Sequence, residues 1–231
     1  MNTVAIIQAR LGSNRLPMKS LLCLRGRALI DWVVQRVCSA QTLDRVVVAC
    51  PQTPRDAVLA AHLRRQGIEV VEGSEIDVLD RFLVAARSVN ADRIVRVCAD
   101  NPFIWGEAID RLVRFYEAGS HDYCYNHIPR ENLWPDGLGA EILSRELLED
   151  MGRRATEPSQ REHCLNYIWD NRAQFDIATF DPEEEWLRRP DVKLDIDTAD
   201  DFCRLAQLPV DVHDDAKAII AAVNAACNRA E

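Results

Sequence analysis

Residues 3–19 read TVAIIQARLGSNRLPMK. The first five, TVAII, are a β-branched apolar run that predicts a strand, and the next dozen pack three cations, a glycine, a serine and a proline into one loop. Working outward, ALIDWVVQRVCSA (28–40) has the apolar spacing of an amphipathic helix and RVVVAC (45–50) that of a second strand. TPRDAVLAAHLRRQG (53–67) predicts a helix with Thr53 as N-cap, Pro54 in its first turn and Gly67 as its stop. IEVVEG (68–73) is a third strand, EIDVLDRFLVAARSVN (75–90) a helix, and RIVRVCAD (93–100) a fourth strand ending on aspartate.

Strands alternating with helices in this way need crossover connections, so the chain predicts an α/β fold, a mostly parallel central sheet with helices on both faces. In such sheets ligands bind outside the carboxyl ends of the strands. The loop from Gln8 to Lys19 and Asp100 both fall there.

After the helix EAIDRLVRFYEAG (107–119) the rhythm changes. SHDYCYNHIPRENLWPDGLGAEIL (120–143) predicts a strand, a loop and a second strand that extend away from the core as a small insertion. Further helices are expected near 144–152, 158–171, 198–206 and 214–228, with strands near 175–180 and 192–196. Nothing in the 231 residues marks a linker or repeat, so the expectation is one domain spanning 1–231.

Composition narrows the function classes. With 28 Lys+Arg against 37 Asp+Glu the formal charge is −9, which disfavours a broad surface for nucleic acid or anionic lipid and makes a local cluster of cations conspicuous. No apolar run approaches the roughly 20 residues of a membrane span, and a cytoplasmic protein is expected. The eight cysteines include no C-x-x-C pair, so neither a zinc knuckle nor a disulfide framework is suggested.

The cationic loop fails two common phosphate-binding signatures. It holds no G-x-G-x-x-G, and it lacks G-x-x-x-x-G-K-[ST] because Pro17 stands five positions after Gly12. What remains is R-x-G-S-x-R-L-P-x-K: Gly12 and Ser13 permit close approach of backbone to an anion, while Arg10, Arg15 and Lys19 supply charge-assisted donors suited to a polyphosphate.

Residues 6–37, IIQARLGSNRLPMKSLLCLRGRALIDWVVQRV, resemble the N-terminal signature of the CTP-dependent sugar nucleotidylyltransferases, the group of acylneuraminate and 3-deoxy-manno-octulosonate cytidylyltransferases, and within it the spore-coat-polysaccharide SpsF-like branch. The resemblance continues in order through EGSEIDVLDRF (72–82), VRVCADNPFI (95–104), DYCYN (122–126), PDGLGAEI (135–142), REHCLNYI (161–168) and LDIDTADDF (194–202). It implies a Rossmann-like nucleotidyltransferase domain that transfers CMP from CTP to an acidic-sugar hydroxyl with loss of pyrophosphate, in the presence of Mg²⁺.

By the same resemblance, Arg10, Ser13, Arg15 and Lys19 hold the triphosphate, and Lys19 stabilises charge at the reacting phosphate. Lys19, Arg15 and Asp100 form the expected catalytic set, and the backbone of Gln8, Ala9 and Arg10 faces the base. Ser74 and Arg81 are expected against ribose or base, although the same stretch also reads as a helix capped by Ser74 with Asp77 at its third position. Asp100 matches the family D-x-P motif and Asp197 its D-T-P-E-D motif, and the two are the expected Mg²⁺ ligands. Three residues depart from the family pattern: Met18 replaces a glycine, Gly139 a polar residue and Ala199 a proline.

Sugar acids call for cations against carboxylate and polar groups against hydroxyls, so Arg161 and His163, at the start of an expected helix, join Glu141 and Asn126 as acceptor-site candidates. His121, Cys124 and His127 would alternate faces on a strand, which argues against a transition-metal site. The resemblance implies a homodimer, and Tyr123, Tyr125 and Trp134 in the insertion suit an interface. Two other readings fit the residues: a nucleotidyltransferase using another nucleotide or a sugar-1-phosphate, and a nucleotide-binding module without turnover.

Overall fold

A computed structural model describes residues 1–227. Seven strands form one sheet: β1 (Thr3–Gln8), β2 (Arg45–Pro51), β3 (Glu69–Gly73), β4 (Arg93–Cys98), β5 (Tyr123–Tyr125), β6 (Glu141–Ser144) and β7 (Ile177–Ala178). Their spatial order is 3-2-1-4-6-5-7. Strands β1 to β4 are mutually parallel, β6 runs antiparallel to both β4 and β5, and β5 and β7 are parallel. Order reverses between β1 and its two neighbours β2 and β4, and a ligand crevice is expected beyond the carboxyl ends there.

The interior strands are buried on both sides, as a sheet covered by helices on each face requires. Ala5 and Ile7 of β1, Val48 of β2 and Val95 and Val97 of β4 meet α1 (Leu29–Val37), α4 (Gly106–Ala118) and α9 (Ala216–Cys227), with α2 (Ala57–Arg65) and α8 (Ala199–Ala206) packed into the same cluster. Val4, Ile6, Val47 and Ile94 point the other way, toward α3 (Val78–Ser88), α5 (Arg145–Arg154) and α7 (Asn166–Asp170).

Local signals place most boundaries. The N-cap of α3 is Asp77 and not Ser74 as expected: Asp77 accepts from the Asp80 amide at 2.8 Å, while Ser74 accepts from the Asp77 amide at 3.0 Å in the turn before the helix. Thr198 and Asp201 form a reciprocal capping box at the start of α8. Thr53 and Pro54, expected as N-cap and first turn of α2, lie in a turn ahead of it: Thr53 accepts from the Asp56 amide at 3.1 Å, the helix starts at Ala57 with Asp56 at its N-cap position, and Gly67 follows its end at φ +77°.

Several expectations are corrected. The segment 120–143 does not project: β5 and β6 are strands of the central sheet, and Tyr123, Tyr125 and Trp134 are fully buried inside the single chain, so they are core residues and form no exposed interface. The helix expected at 158–171 is two short pieces, α6 (Pro158–Glu162) and α7, broken at 163–165, with Arg161 near the end of the first piece and His163 as its C-cap. The strand expected at 192–196 is an extended segment joined to the sheet region by one bridge, Asp136 to Lys193. Residue 228, the expected end of the last helix, lies outside the described residues.

Candidate functional site

A cleft of about 320 Å³ opens at the carboxyl ends of β1 and β4, lined chiefly by Gln8, Arg10, Arg15, Lys19, Asp100 and Asp197. Ser13, Asn14, Ser20 and Cys98 complete its polar wall. The cationic loop and two aspartates 97 residues apart in sequence therefore share one space.

The loop is built on backbone bonds and one buried carboxylate. The Met18 amide donates to the Leu11 carbonyl at 3.1 Å and closes the loop. Asp56, with no exposed surface, accepts from the Leu11 amide at 2.7 Å and from the Thr53 hydroxyl at 2.6 Å. Ser20, also buried, donates to the Arg10 carbonyl at 3.1 Å. Met18, where the resemblance noted above implies a glycine, adopts left-handed backbone at φ 61° and ψ 15°, a conformation glycine enters without steric cost.

Lys19 is the hub. Its Nζ lies 2.8 Å from Asp100 Oδ2 and 3.6 Å from Asp197 Oδ1, and it donates to the Ile196 carbonyl at 3.0 Å. Arg15 reaches Asp197 Oδ1 at 2.7 Å from an exposed position. Arg10 lines the cleft with its guanidinium in no ion pair among the described residues. The two carboxylates share a cation, so their oxygens face one point and make a donor pair for a hard divalent ion. Among the described residues no group of three or more His, Cys, Asp or Glu side chains could hold a metal, so such an ion would take its other ligands from water or a bound phosphate.

The wider surroundings are acidic. Burial, then the charge of Asp195, pushes the Asp136 carboxyl up to about 6, with Asp100 and Asp197 adding to the effect. Burial likewise raises Asp195. Burial pushes the Cys98 thiol up to about 12, which leaves a neutral side chain in the cleft wall and no thiolate nucleophile.

Other candidates are placed elsewhere. Ala9 is buried and its amide is committed to the Ala49 carbonyl at 3.2 Å. Gly12 lies outside the cleft lining, beneath Arg55: a Cβ built there would stand 2.3 Å from Arg55 Nη2. Ser74 and Arg81 do not line the cleft. Arg81 is wholly buried, donates to the Ser74 carbonyl at 2.5 Å, and leaves Nε and Nη2 without partners among the described residues.

The four acceptor candidates do not converge. Asn126 is buried and ties α4 to the segment just before β6, donating to the Ala108 carbonyl at 2.9 Å and accepting from the Ala140 amide at 2.9 Å. This also explains Gly139, because a Cβ there would meet Asn126 Oδ1 at 2.2 Å. Arg161 docks α6 on α3, with Nε and Nη2 at 2.8 and 2.5 Å from Asp77 Oδ2. His163 is exposed and outside the cleft lining. Glu141 is buried and pairs with Arg96, while the Tyr123 hydroxyl donates to it at 2.5 Å.

Sequence reasoning passed over Asp56, Arg96 and Asn14. Asp56 carries a weak signal, a carboxylate three residues after Thr53. Arg96 is a charge in the middle of the strand RIVRVC, on the parity of Ile94.

The comparisons with known proteins point one way. A family model described as cytidylyltransferase matches residues 4–221. The spore coat polysaccharide biosynthesis protein SpsF of Bacillus subtilis is 35% identical over 202 residues, 85% of this chain and 82% of that protein. A 3-deoxy-manno-octulosonate cytidylyltransferase of Bdellovibrio bacteriovorus is 36% identical over 118 residues, 50% of this chain and 46% of that protein. Among solved structures, a cytidylyltransferase from Leptospira borgpetersenii superposes with a TM-score of 0.87 at 25% identity, covering 100% of this chain and 95% of that one.

Proposed function

The chain belongs to the cytidylyltransferase family, and from that premise we propose that it transfers CMP from CTP to a hydroxyl of an acidic sugar, releasing pyrophosphate, in the assembly of a surface polysaccharide or glycoconjugate. The observation that carries the reading is Lys19, held between Asp100 and Asp197 beside Arg15 and Arg10 at the carboxyl ends of β1 and β4. The polysaccharide context follows the name of the SpsF relative, and the acidic sugar follows that of the octulosonate enzyme.

In the proposed reaction an acceptor oxygen forms a bond to the α-phosphorus while the bond to pyrophosphate breaks. Charge grows on the phosphate oxygens as that happens, and preorganised cations lower the barrier. Lys19 exchanges its carboxylate partners for phosphate oxygen, Arg10 makes no competing ion pair among the described residues, and Arg15 can leave Asp197 at little cost because it is exposed. Ser13 and the loop backbone orient the chain of phosphates. Asp100 and Asp197 would hold Mg²⁺, which supplies Lewis-acid polarisation and charge neutralisation when bound. A cytoplasmic location is part of the same proposal. Homodimerisation, implied by the resemblance, remains part of the proposal with an interface other than Tyr123, Tyr125 and Trp134.

The test is pyrophosphate release with Mg²⁺, running the four common nucleoside triphosphates against a panel of sugar acids and sugar-1-phosphates. CTP with a sugar acid is the expected productive pair. A preference for UTP or ATP, or for a sugar phosphate, would overturn the nucleotide or acceptor assignment.

A further inference from the structure

On β4, Arg96 shares a side of the sheet with Ile94, where Val4 and Ile6 of β1 are also buried. A guanidinium in that row needs an explanation. One end, Nη1, pairs with Glu141 Oε2, directly opposite in the β4–β6 register. The other end, Nε and Nη2, donates twice to Gln8 Oε1, at 3.3 and 3.2 Å. Glu141 is itself braced by the Tyr123 hydroxyl at 2.5 Å and by His127, whose Nε2 stands 3.7 Å from Oε2.

Glu141 is 4% exposed and Arg96 17%. Burial works to raise the Glu141 carboxyl, but Arg96, with His127 and Tyr123, holds it below the usual carboxylate range, so the pair is ionic. A buried ion pair is a poor stabiliser relative to apolar packing of the same shape. Its presence is better explained by what the free edge of the guanidinium holds.

That edge holds Gln8. An amide side chain offers an oxygen acceptor at one end and an NH₂ donor at the other, and its neighbours decide which way it faces. Two N–H groups converge on Gln8 Oε1 and leave Nε2 with no hydrogen-bond partner among the described residues. Gln8 lines the cleft and directly precedes the loop that supplies Arg10, Ser13 and Asn14 to the same wall. From this we infer that Arg96, braced by Glu141 and Tyr123, is a positioning residue that locks the Gln8 amide with its NH₂ toward the cleft, where it donates to an oxygen of bound CTP. The inference rests on the cytidylyltransferase reading. Without the lock the amide can turn its carbonyl toward an anionic ligand, which repels it.

Calorimetric titration of CTP with Mg²⁺ into the intact protein tests this. Gln8→Met removes the donor without touching the buried ion pair, and Arg96→Lys keeps the charge beside Glu141 but removes the planar fork. Each is expected to weaken CTP binding by roughly three- to tenfold, the scale of one hydrogen bond. The double variant is expected to bind no worse than Gln8→Met alone, because both changes remove the same donor. A purely structural role for Arg96 would lower the melting temperature of Arg96→Lys and leave its CTP affinity unchanged. Wild-type affinity in Gln8→Met, or additive losses in the double variant, overturns the inference. No binding of CTP by the wild type refutes the cytidylyltransferase reading instead, so the two failures are told apart by the first titration.

Discussion

Met18 offers a quantitative test of the loop. At φ 61° and ψ 15° it occupies left-handed backbone between Pro17 and Lys19, with 40% of its surface exposed. Both its backbone polar groups are used: the amide donates to Leu11 at 3.1 Å and the carbonyl accepts from the Leu21 amide at 2.9 Å. Glycine and alanine each remove the same side chain, so comparing them isolates the backbone. Left-handed geometry costs a residue with a Cβ about 1–2 kcal/mol. Glycine's greater freedom in the unfolded chain returns about 0.5–1 kcal/mol of that. Met18→Gly should therefore be more stable than Met18→Ala by about 0.5–1 kcal/mol. In urea unfolding, with a slope of about 2–3 kcal/mol/M, that is a midpoint about 0.3 M higher for the glycine variant. Pyrophosphate release should survive in the glycine variant, because both loop hydrogen bonds remain available. Equal midpoints, or a higher one for alanine, would refute the assignment of strain to this residue.

Other consequences are as direct. Lys19→Ala should lower kcat for pyrophosphate release by roughly 10²–10³, the scale of losing one preorganised donor at a developing charge, while the melting temperature moves little. Asp100→Asn should raise the Mg²⁺ concentration needed for half-maximal rate by at least about tenfold, since one of two carboxylates is lost; an unchanged Mg²⁺ curve would remove Asp100 from the metal site. Asp136 titrates at about 6 in the folded protein against an ordinary 3.8. The folded state then binds the proton more tightly than the unfolded chain, so this residue's contribution falls as pH rises from about 4 through 6 and is unfavourable above that. Asp136→Asn should flatten that part of the stability profile and raise stability at pH 7, measured by denaturant unfolding across pH. Arg161→Ala should cost about 1–3 kcal/mol of stability by unpairing Asp77, and leave CTP affinity as in the wild type; a lost CTP affinity without lost stability would return Arg161 to the ligand site.

Much of the cleft's cationic side was legible because it is local. Arg10, Ser13, Arg15 and Lys19 lie in one loop after one strand, and a strand's carboxyl end is where α/β sheets bind ligands. The resemblance then supplied Asp100 and Asp197, and folding places both on Lys19. The acceptor candidates fared differently because residue type says nothing about prior engagement. Arg161 is a plausible carboxylate binder by chemistry, but Asp77 has claimed it. Asn126 is a plausible hydroxyl binder, but the Ala108 carbonyl and the Ala140 amide have claimed it. Tyr123, Tyr125 and Trp134 fit an interface by composition, and the core consumes them.

The sequence by itself determined the alternation of strand and helix, the clustering of cations in the loop after the first strand, and the family. Each of these is written in spacing over a few residues or in motifs that recur in order along the chain. Only the tertiary structure decided that β5 and β6 complete the main sheet, that Arg15 meets a carboxylate 182 residues away, and that Arg96 joins Gln8 to Glu141. The physical reason is that a polar side chain is available to a ligand only if no other buried group has satisfied it, and that pairing is settled by strand order and register.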